Sequence, residues 1–357
     1  MSIVRPLLKS LPKLPAPALW SGQFKGSKTR VSVMTEEIAG SHGDLPELVE
    51  VSHFRAERLS SRSIRNILLF ASTDLAAQKI QIGGRSIIEL YPGPGQLTRS
   101  MLLAGANKIM TVDNGDTYQS SLQALVDSSQ GRIHHLPWNP ISDPYDELVI
   151  NPKNQAIPGL KTQPWDKVHS ELMIVGSLPD TTLGEKVLVD LMLASMERIG
   201  IFSLGRIEMF MFCNKDTVKR LLATPGSVSR HKVAVYTEGS STVTSIMRPG
   251  RENFHFPSDY ELIHVVPHEK PKLETNLEIA DYCLRNLFGS RSHPLNKVIK
   301  LLGPGAEILL GRLSFDTSIR VKYMTIEQLN EVAVKFAQWP LRPTILYDEM
   351  ISEYRKR

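Results

Sequence analysis

The amino-acid sequence predicts an α/β fold: a mostly parallel, doubly wound sheet with an antiparallel edge hairpin, followed by a small C-terminal helical domain. From about residue 64, strand-like apolar runs alternate with helical stretches, and helical crossovers of this length join parallel strands. Two runs between residues 231 and 247 are joined by a short turn, which is typical of a hairpin. After about residue 270 the hydrophobic spacing is helical only.

The first part of the sheet follows from four strands and their helices. The helices are "IRNILLFASTDLAAQKI" (64–80), Leu97 to Ala104 closed by Gly105, and "LGEKVLVDLMLASMERI" (183–199). The strands are "RSIIELY" (85–91), "KIMTVD" (108–113), "ELMIVG" (171–176) and "RIEMFMF" (206–212).

The remaining elements are the edge hairpin, a last strand and the helical domain. The hairpin consists of "HKVAVYTE" (231–238) and "STVTSIM" (241–247), joined by Gly239 and Ser240, and "YELIHVVPH" (260–268) is the last strand. Helices follow at "LEIADYCLRNLFG" (277–289), "HPLNKVIKLLG" (293–303) and "TIEQLNEVAVKFAQWP" (325–340). In the last of these, Thr325 and Gln328 form a capping box and Pro340 ends the helix.

A chain of 357 residues exceeds what a single core usually holds, so we expect several segments. They are a basic segment at 1–40, the sheet domain at 41–270, the helical domain at 271–347 and a basic tail at 348–357. The first 35 residues contain six Lys or Arg and no acidic residue, which is typical of a mitochondrial presequence. A basic tail without a targeting role is the alternative.

Composition excludes several classes of function. No apolar run approaches the roughly 20 residues that cross a bilayer, so a membrane-spanning role is excluded. Cys213 and Cys283 are too few for a disulfide framework or a four-thiolate zinc site. His134 and His135 have no third ligand at metal spacing, so we predict no metal site. A net charge of +5 favours a polyanionic partner.

The loop "IIELYPGPGQLTRSM" (87–101) carries the clearest site pattern. In doubly wound folds, glycines in the first strand-to-helix turn let the backbone approach a ligand, and Gly93 and Gly95 supply two such positions. Asp113, about 20 residues further on, is placed to bind ribose hydroxyls. Glu89 precedes the turn. The alternative interpretation is a tight turn beside a solvated carboxylate.

The sequence resembles the rRNA adenine dimethyltransferase family over roughly residues 60–345. The resemblance rests on "IIELYPGPGQLT", "TVD", "IVGSLPDTTLGEKVLVDLM", "FMFCNKDTVKRLLATPGS", "HKVAVYTE" and "VVPH" in this order. Within that superfamily it is most similar to the fungal mitochondrial transcription factor B group, through "LYPGPG", "RLLATPGSVSRHK", "HPLNKVIKLLG" and "FAQWPLRPTILYD". The resemblance implies a Rossmann-like class I methyltransferase fold, with 41–270 as the methyltransferase-like domain.

The resemblance also implies a degenerate site. Glu89, Gly93, Gly95, Thr98 and Asp113 match the S-adenosylmethionine loop, whereas Tyr91 replaces its first glycine. In the family's Asn-Leu-Pro-aromatic motif, Leu178 and Pro179 are kept, but Ser177 replaces the Asn and Asp180 the aromatic residue. Asn139 stands in place of the acid that contacts adenine.

These departures predict a vestigial S-adenosylmethionine pocket, no required cofactor and no catalytic residues. The vestigial pocket consists of Glu89, Tyr91, Gly93, Gly95, Asp113, Asn139 and Ser177. The loss of the Asn carbonyl and of the stacking ring removes what adenine methylation needs from an extruded base. A divergent but active mitochondrial rRNA adenine N6,N6-dimethyltransferase is the alternative, and an RNA-binding assembly factor is a third.

By resemblance to transcription factor B, we expect a transcription initiation factor in the mitochondrial matrix, monomeric when free. Its partners are then a single-subunit mitochondrial RNA polymerase and the non-template strand of melted promoter DNA. Basic side chains for phosphates and rings for bases are predicted at Arg206, Lys215, Lys219, Arg220, Arg230, Lys232, Trp138 and Tyr145. Solvated helix surface and buried loop anchors are the alternatives for these residues. Arg291, His293, Lys297 and Lys300 are candidates for contact with polymerase or upstream DNA.

Overall fold

The computed structural model of the chain describes residues 70–115, 118–140, 157, 159–249 and 259–343. The predicted presequence, Tyr145 and the basic tail at 348–357 lie outside these residues. The part of the predicted first helix that precedes Phe70 lies outside them as well.

The described residues form a seven-stranded sheet with the order β3-β2-β1-β4-β5-β7-β6. Strands β1 to β5 pair in parallel, and β7 is antiparallel to both β5 and β6. The predicted mostly parallel sheet with an antiparallel edge is therefore confirmed. The strands are β1 (Ser86–Leu90), β2 (Ile109–Val112), β3 (Ile133–Leu136), β4 (Leu172–Ser177), β5 (Met209–Asn214), β6 (Ser241–Met247) and β7 (Tyr260–Pro267).

Helices connect the parallel strands and then form the C-terminal region. The α-helices are α1 (Phe70–Ile80), α2 (Gln96–Leu103), α3 (Gln119–Ser128), α4 (Thr182–Glu197), α5 (Lys215–Leu221), α6 (Lys232–Ser240), α7 (Leu277–Gly289), α8 (Leu295–Val298) and α9 (Ile326–Ala337). Short 3-10 helices span Gly200–Leu204, Ile299–Leu302, Ala306–Arg312 and Val321–Tyr323. The predicted capping box at Thr325 and Gln328 is present at the start of α9.

The edge of the sheet differs from the prediction. Residues 231–238 were predicted as the first strand of a hairpin with Gly239 and Ser240 as its turn, but Lys232–Ser240 form helix α6. Strand β6 (241–247), predicted to pair with residues 231–238, pairs instead with β7 in antiparallel register. Val235 and Tyr236 of α6 are buried in the C-terminal core, and Ala234 is also buried. Because α6 is buried on several sides, its apolar residues do not recur at the helical spacing of three to four. The resulting run of Val and Tyr resembles a strand.

Two hydrophobic cores cover the two faces of the sheet and a third fills the C-terminal region. The first includes Leu90, Leu188 and Met211, and the second includes Ile87, Met101 and Phe210. The third gathers residues of α7 and α9 with Val235 and Tyr236, and Val189, Leu193 and Met196 of α4 pack against it. Helices α4 and α6 therefore join the sheet to the helical region.

None of the described helices has the length and apolar character of a membrane span. Among the described residues, no group of three or more His, Cys, Asp or Glu side chains is arranged to hold a metal ion. His135 bonds Thr111 through Nδ1 at 3.0 Å, and His134 is exposed.

Candidate functional site

The loop between β1 and α2 turns tightly through three left-handed residues. Tyr91, Gly93 and Gly95 have φ values of 53°, 58° and 87°. Gly95 precedes α2, and a Cβ atom there would clash with the side chain of Leu125. Glycine adopts this conformation without strain, whereas a residue with a Cβ pays roughly 1–2 kcal/mol. Tyr91 thus carries a bulky side chain on a backbone conformation suited to glycine.

The Tyr91 ring is enclosed by the protein. It is half-buried and packs against the core cluster that contains Leu90 and Met211. Its hydroxyl is buried and has no hydrogen-bond partner among the described residues. Burial, and next the nearby carboxylate of Asp113, raise the pKa of the Tyr91 phenol. Tyr91 directly follows β1, at the carboxyl end of the strand, where ligands of this fold are held.

Glu89 links β1 to the start of α2 through a buried hydrogen bond. Its side chain is 1% exposed and accepts a 2.6 Å hydrogen bond from the Thr98 hydroxyl at the start of α2. Burial raises the pKa of Glu89 to about 8, although the Thr98 bond opposes the shift. The predicted alternative of a solvated carboxylate is therefore wrong for Glu89.

Asp113 lies just beyond β2 and is half-buried, and its charge acts on Tyr91 and Tyr118. It accepts a 2.9 Å hydrogen bond from the backbone amide of Gly115. Burial raises the pKa of Asp113, whereas its bonds to backbone amides and the nearby His135 lower it. The Asp113 charge also contributes to the raised pKa of the Tyr118 phenol, after burial. Tyr118 was not predicted, since it follows Asp113 in an irregular stretch with no pattern.

The degenerate motif begins at Ser177, the last residue of β4, which is the strand next to β1. Leu178 is buried, and its amide bonds the carbonyl of Phe212 at 3.0 Å. Ser177, Pro179 and Asp180 are half-buried. A Cβ atom on Gly184 of α4 would clash with the Pro179 carbonyl, so the helix and the motif approach closely at this glycine. Leu178 and Pro179 thus have packing roles.

The sheet brings the predicted pocket residues to one edge. Leu90 pairs with Gly176 in parallel register, so Tyr91, which follows β1, and Ser177, which ends β4, lie at neighbouring strand ends. Asp113 and Asn139 lie beyond the carboxyl ends of β2 and β3. Asn139 is half-buried, and Trp138 packs against the same core cluster as Tyr91. Ligands of such folds bind beyond the carboxyl ends of the strands, where these residues lie.

A family model described as ribosomal RNA adenine dimethylase matches residues 74–338, which is most of the chain. The chain belongs to the ribosomal RNA adenine dimethylase family.

Known members of the dimethylase family are similar over most of their length. Dimethyladenosine transferase 1, mitochondrial, of Vermamoeba vermiformis is 26% identical over 292 residues, covering 72% of this chain and 84% of the relative. The Homo sapiens protein of the same name is 25% identical over 302 residues, covering 81% and 84%. A crystal structure of a dimethyladenosine transferase from Plasmodium falciparum matches with a TM-score of 0.56 and 16% identity, covering 76% and 98%. This likeness establishes the Rossmann-like methyltransferase fold.

One residue of the predicted nucleic-acid surface needs correction in this family member. Arg230 is 1% exposed and donates to the carbonyls of Ala223 and Met324 at 2.9 and 3.2 Å. It also forms a 3.0 Å ion pair with Glu238. Because the guanidinium of Arg230 is buried and bonded to these partners, it cannot contact phosphates. Arg230 therefore stabilises the fold and does not bind nucleic acid. Arg230 was predicted to be exposed because it lies in a basic run of the sequence with His231 and Lys232.

The other basic residues predicted to bind nucleic acid differ in their exposure and in their ion pairs. Lys215 and Lys219 are exposed on α5. Arg220 forms a 2.5 Å ion pair with Glu185, and Lys232 lies 3.4 Å from Asp281. Arg206 is half-buried in the stretch that precedes β5.

Proposed function

We propose that this dimethylase-family member has lost methyl transfer and acts as a mitochondrial transcription initiation factor. Its partners are a single-subunit RNA polymerase and melted promoter DNA, above all the non-template strand. The mitochondrial names of its relatives and the acid-free N-terminal segment support a site of action in the mitochondrial matrix. We propose that it is monomeric when free and needs no cofactor.

The observation that carries this proposal is Tyr91. A phenol near Asp113 lies where the family loop has glycine next to the ligand, and Ser177 is the last residue of the neighbouring strand β4. Ser177 offers no amide carbonyl, and Asp180 no ring on which a base could stack. Adenine methylation requires an extruded base that is held on its edge and stacked on its face. These three replacements together support the loss of both cofactor binding and base binding.

The physical mechanism proposed is preferential binding of open DNA. A factor that binds melted promoter more tightly than duplex shifts the opening equilibrium by no more than that difference in affinity. Run-off transcription with the cognate polymerase tests this on duplex and on pre-melted promoter. The factor should be needed mainly for the duplex, and equal output with and without it would refute the proposal.

The second candidate is an active mitochondrial rRNA adenine dimethyltransferase. It is favoured by the retained Glu89, Gly93, Gly95 and Asp113, and by relatives named dimethyladenosine transferases. Titration calorimetry with S-adenosylmethionine, followed by methyl transfer to a small-subunit rRNA hairpin, separates the two. Tight binding with transfer would establish the enzyme and remove our first proposal.

Reversal of the altered positions tests the pocket itself. The triple variant Tyr91→Gly, Ser177→Asn and Asp180→Tyr should bind S-adenosylmethionine more tightly than the parent chain. The variant Leu183→Ala, changed at an exposed position of α4, is a control that should show no gain. No gain in the triple variant would show that the pocket has changed beyond these three positions.

A further inference from the structure

Three segments of the chain that are distant in sequence meet at one surface. Backbone hydrogen bonds join them: the Gly226 amide donates to the Lys322 carbonyl at 2.8 Å, and the Lys322 amide to the Arg291 carbonyl at 3.0 Å. The Arg291 guanidinium donates to the Arg230 carbonyl at 2.6 Å. The three segments contain no Asp or Glu: 217–237, 282–306 and 317–326. The three segments therefore bring basic side chains and no carboxylate of their own to the surface where they meet.

The cations of this surface are close enough to affect one another. Burial, and next the positive charges of Arg291 and Arg220, lower the pKa of His231. Glu185 of α4 is the acidic neighbour, and its ion pair with Arg220 offsets part of the charge. Among the described residues, neither Arg291 nor Lys322 forms an ion pair with a carboxylate, so both keep their charge for a ligand.

An aromatic ring lies among these cations. Tyr323 is 46% exposed, and the Lys322 ammonium lies 5.2 Å from its ring centroid. The edge of the ring rests on Gly226, where a Cβ atom would come within 2.8 Å of ring carbon Cε1. Val228, two residues further along the same turn, is 81% exposed. Gly226 thus holds the ring in place while much of the ring remains open to solvent.

We propose that Arg220, Val228, Arg291, Lys322 and Tyr323, here called the junction surface, bind a stretch of single-stranded nucleic acid. Tyr323 is the stacking platform for one unpaired base, and Arg291 and Lys322 contact the flanking phosphates. Such a pairing of cations with an exposed ring suits single strands, because a duplex keeps its base faces stacked and inaccessible. A protein that docks on the same cations and on Tyr323 is the competing occupant, and the variants below distinguish the two.

The inference rests on the proposed function, which requires an unpaired strand, but it can be tested without polymerase or cofactor. Fluorescence anisotropy would measure binding of the full chain to a labelled 16-nucleotide oligo-dT and to a duplex of the same length. Tyr323→Ala should weaken binding of the single strand roughly tenfold, in line with the loss of one base stack. Tyr323→Phe should bind as the parent chain does, since the ring remains.

A charge variant and its control test the phosphate contacts. Lys322→Gln should weaken binding and lower the slope of log affinity against log salt by roughly 0.7, the value for one phosphate on a single strand. Lys79→Gln removes the same charge from an exposed position on α1 and should leave the slope unchanged. Tyr323→Leu keeps apolar packing on Gly226 without a flat ring, so it controls for misfolding of Tyr323→Ala and should also bind weakly.

Each outcome decides the inference. Parent-like binding by Tyr323→Ala and Tyr323→Leu, or equal affinity for single strand and duplex, would overturn it. If oligonucleotide binding is unchanged in every variant but Lys322→Gln loses association with the polymerase, the junction surface is a protein-docking face and the inference is wrong. Tyr323-dependent binding with no effect of the factor in run-off transcription would refute the proposed function alone.

Discussion

The hydroxyl of Thr98 donates a 2.6 Å hydrogen bond to the carboxyl group of Glu89, and this pair joins the end of β1 to the start of α2 inside the protein. Because burial raises the pKa of Glu89 to about 8 from an ordinary value of 4.5, the folded state keeps a proton that the unfolded state releases. The free energy of unfolding should therefore fall as pH rises from about 4.5 to about 8.

Glu89→Gln should reduce this fall by an amount on the order of a few kcal/mol, since an amide does not titrate. Urea unfolding at several pH values between 4 and 9 would measure it. Glu197→Gln, at an exposed position of α4, is the matched control and should keep the parent profile. Parallel profiles of Glu89→Gln and the parent would contradict a protonated Glu89.

Tyr91 offers an unusual comparison of glycine with alanine. Because residue 91 has φ of 53°, Tyr91→Gly relieves backbone strain that Tyr91→Ala retains, and both lose the packed ring. The glycine variant should be more stable by about 1 kcal/mol, which reverses the usual order of the two residues. Chemical denaturation would measure the difference, and an alanine variant of equal or greater stability would exclude strain at this position.

Arg230 should be needed for stability. Arg230→Ala removes bonds to two carbonyls and to Glu238, and we expect a loss on the order of 3 kcal/mol in the free energy of unfolding. Lys219→Ala, an exposed position on α5, should change it by less than about 0.5 kcal/mol. Thermal unfolding of the two variants would compare them, and similar midpoints would place Arg230 at the surface after all.

Gly184 should tolerate no side chain. Gly184→Ala forces a methyl group against the Pro179 carbonyl, so α4 or the motif must move, and we expect a loss of about 2 kcal/mol or more. At Gly311 a Cβ atom would meet open space, so Gly311→Ala is the matched control and should be neutral or slightly stabilising. Equal effects at the two sites would show that there is room for a methyl group between α4 and the Pro179 carbonyl.

Much of the fold could be predicted because its strands and caps have clear local signals. The predicted runs around β1, β2, β4, β5 and β7 are strands, and the capping box marks the start of α9. β3 was missed because its sequence, "IHHL", is short and half polar. α6 was predicted as a strand because its run of Val, Ala and Tyr, buried against α4 and the C-terminal core, has no clear helical period.

The candidate site could be predicted in its members but not in their environments. The loop pattern predicted Glu89, Tyr91 and Asp113, and the family resemblance added Ser177; the sheet brings all four to one edge. No local pattern distinguishes Arg230, which is buried, from Lys219, which is exposed on the neighbouring helix. The contact between Gly226 and Tyr323 joins residues almost a hundred positions apart, and only the folded chain reveals it.

Helix α6 has a consequence for how the molecule unfolds. Val235 and Tyr236 belong to a core whose other members come mostly from residues beyond 270. A chain shortened near residue 270 would expose these side chains, and a C-terminal fragment alone would lack part of its interior. We therefore expect a single cooperative transition for the sheet and the helical region, with neither half serving as an independent module.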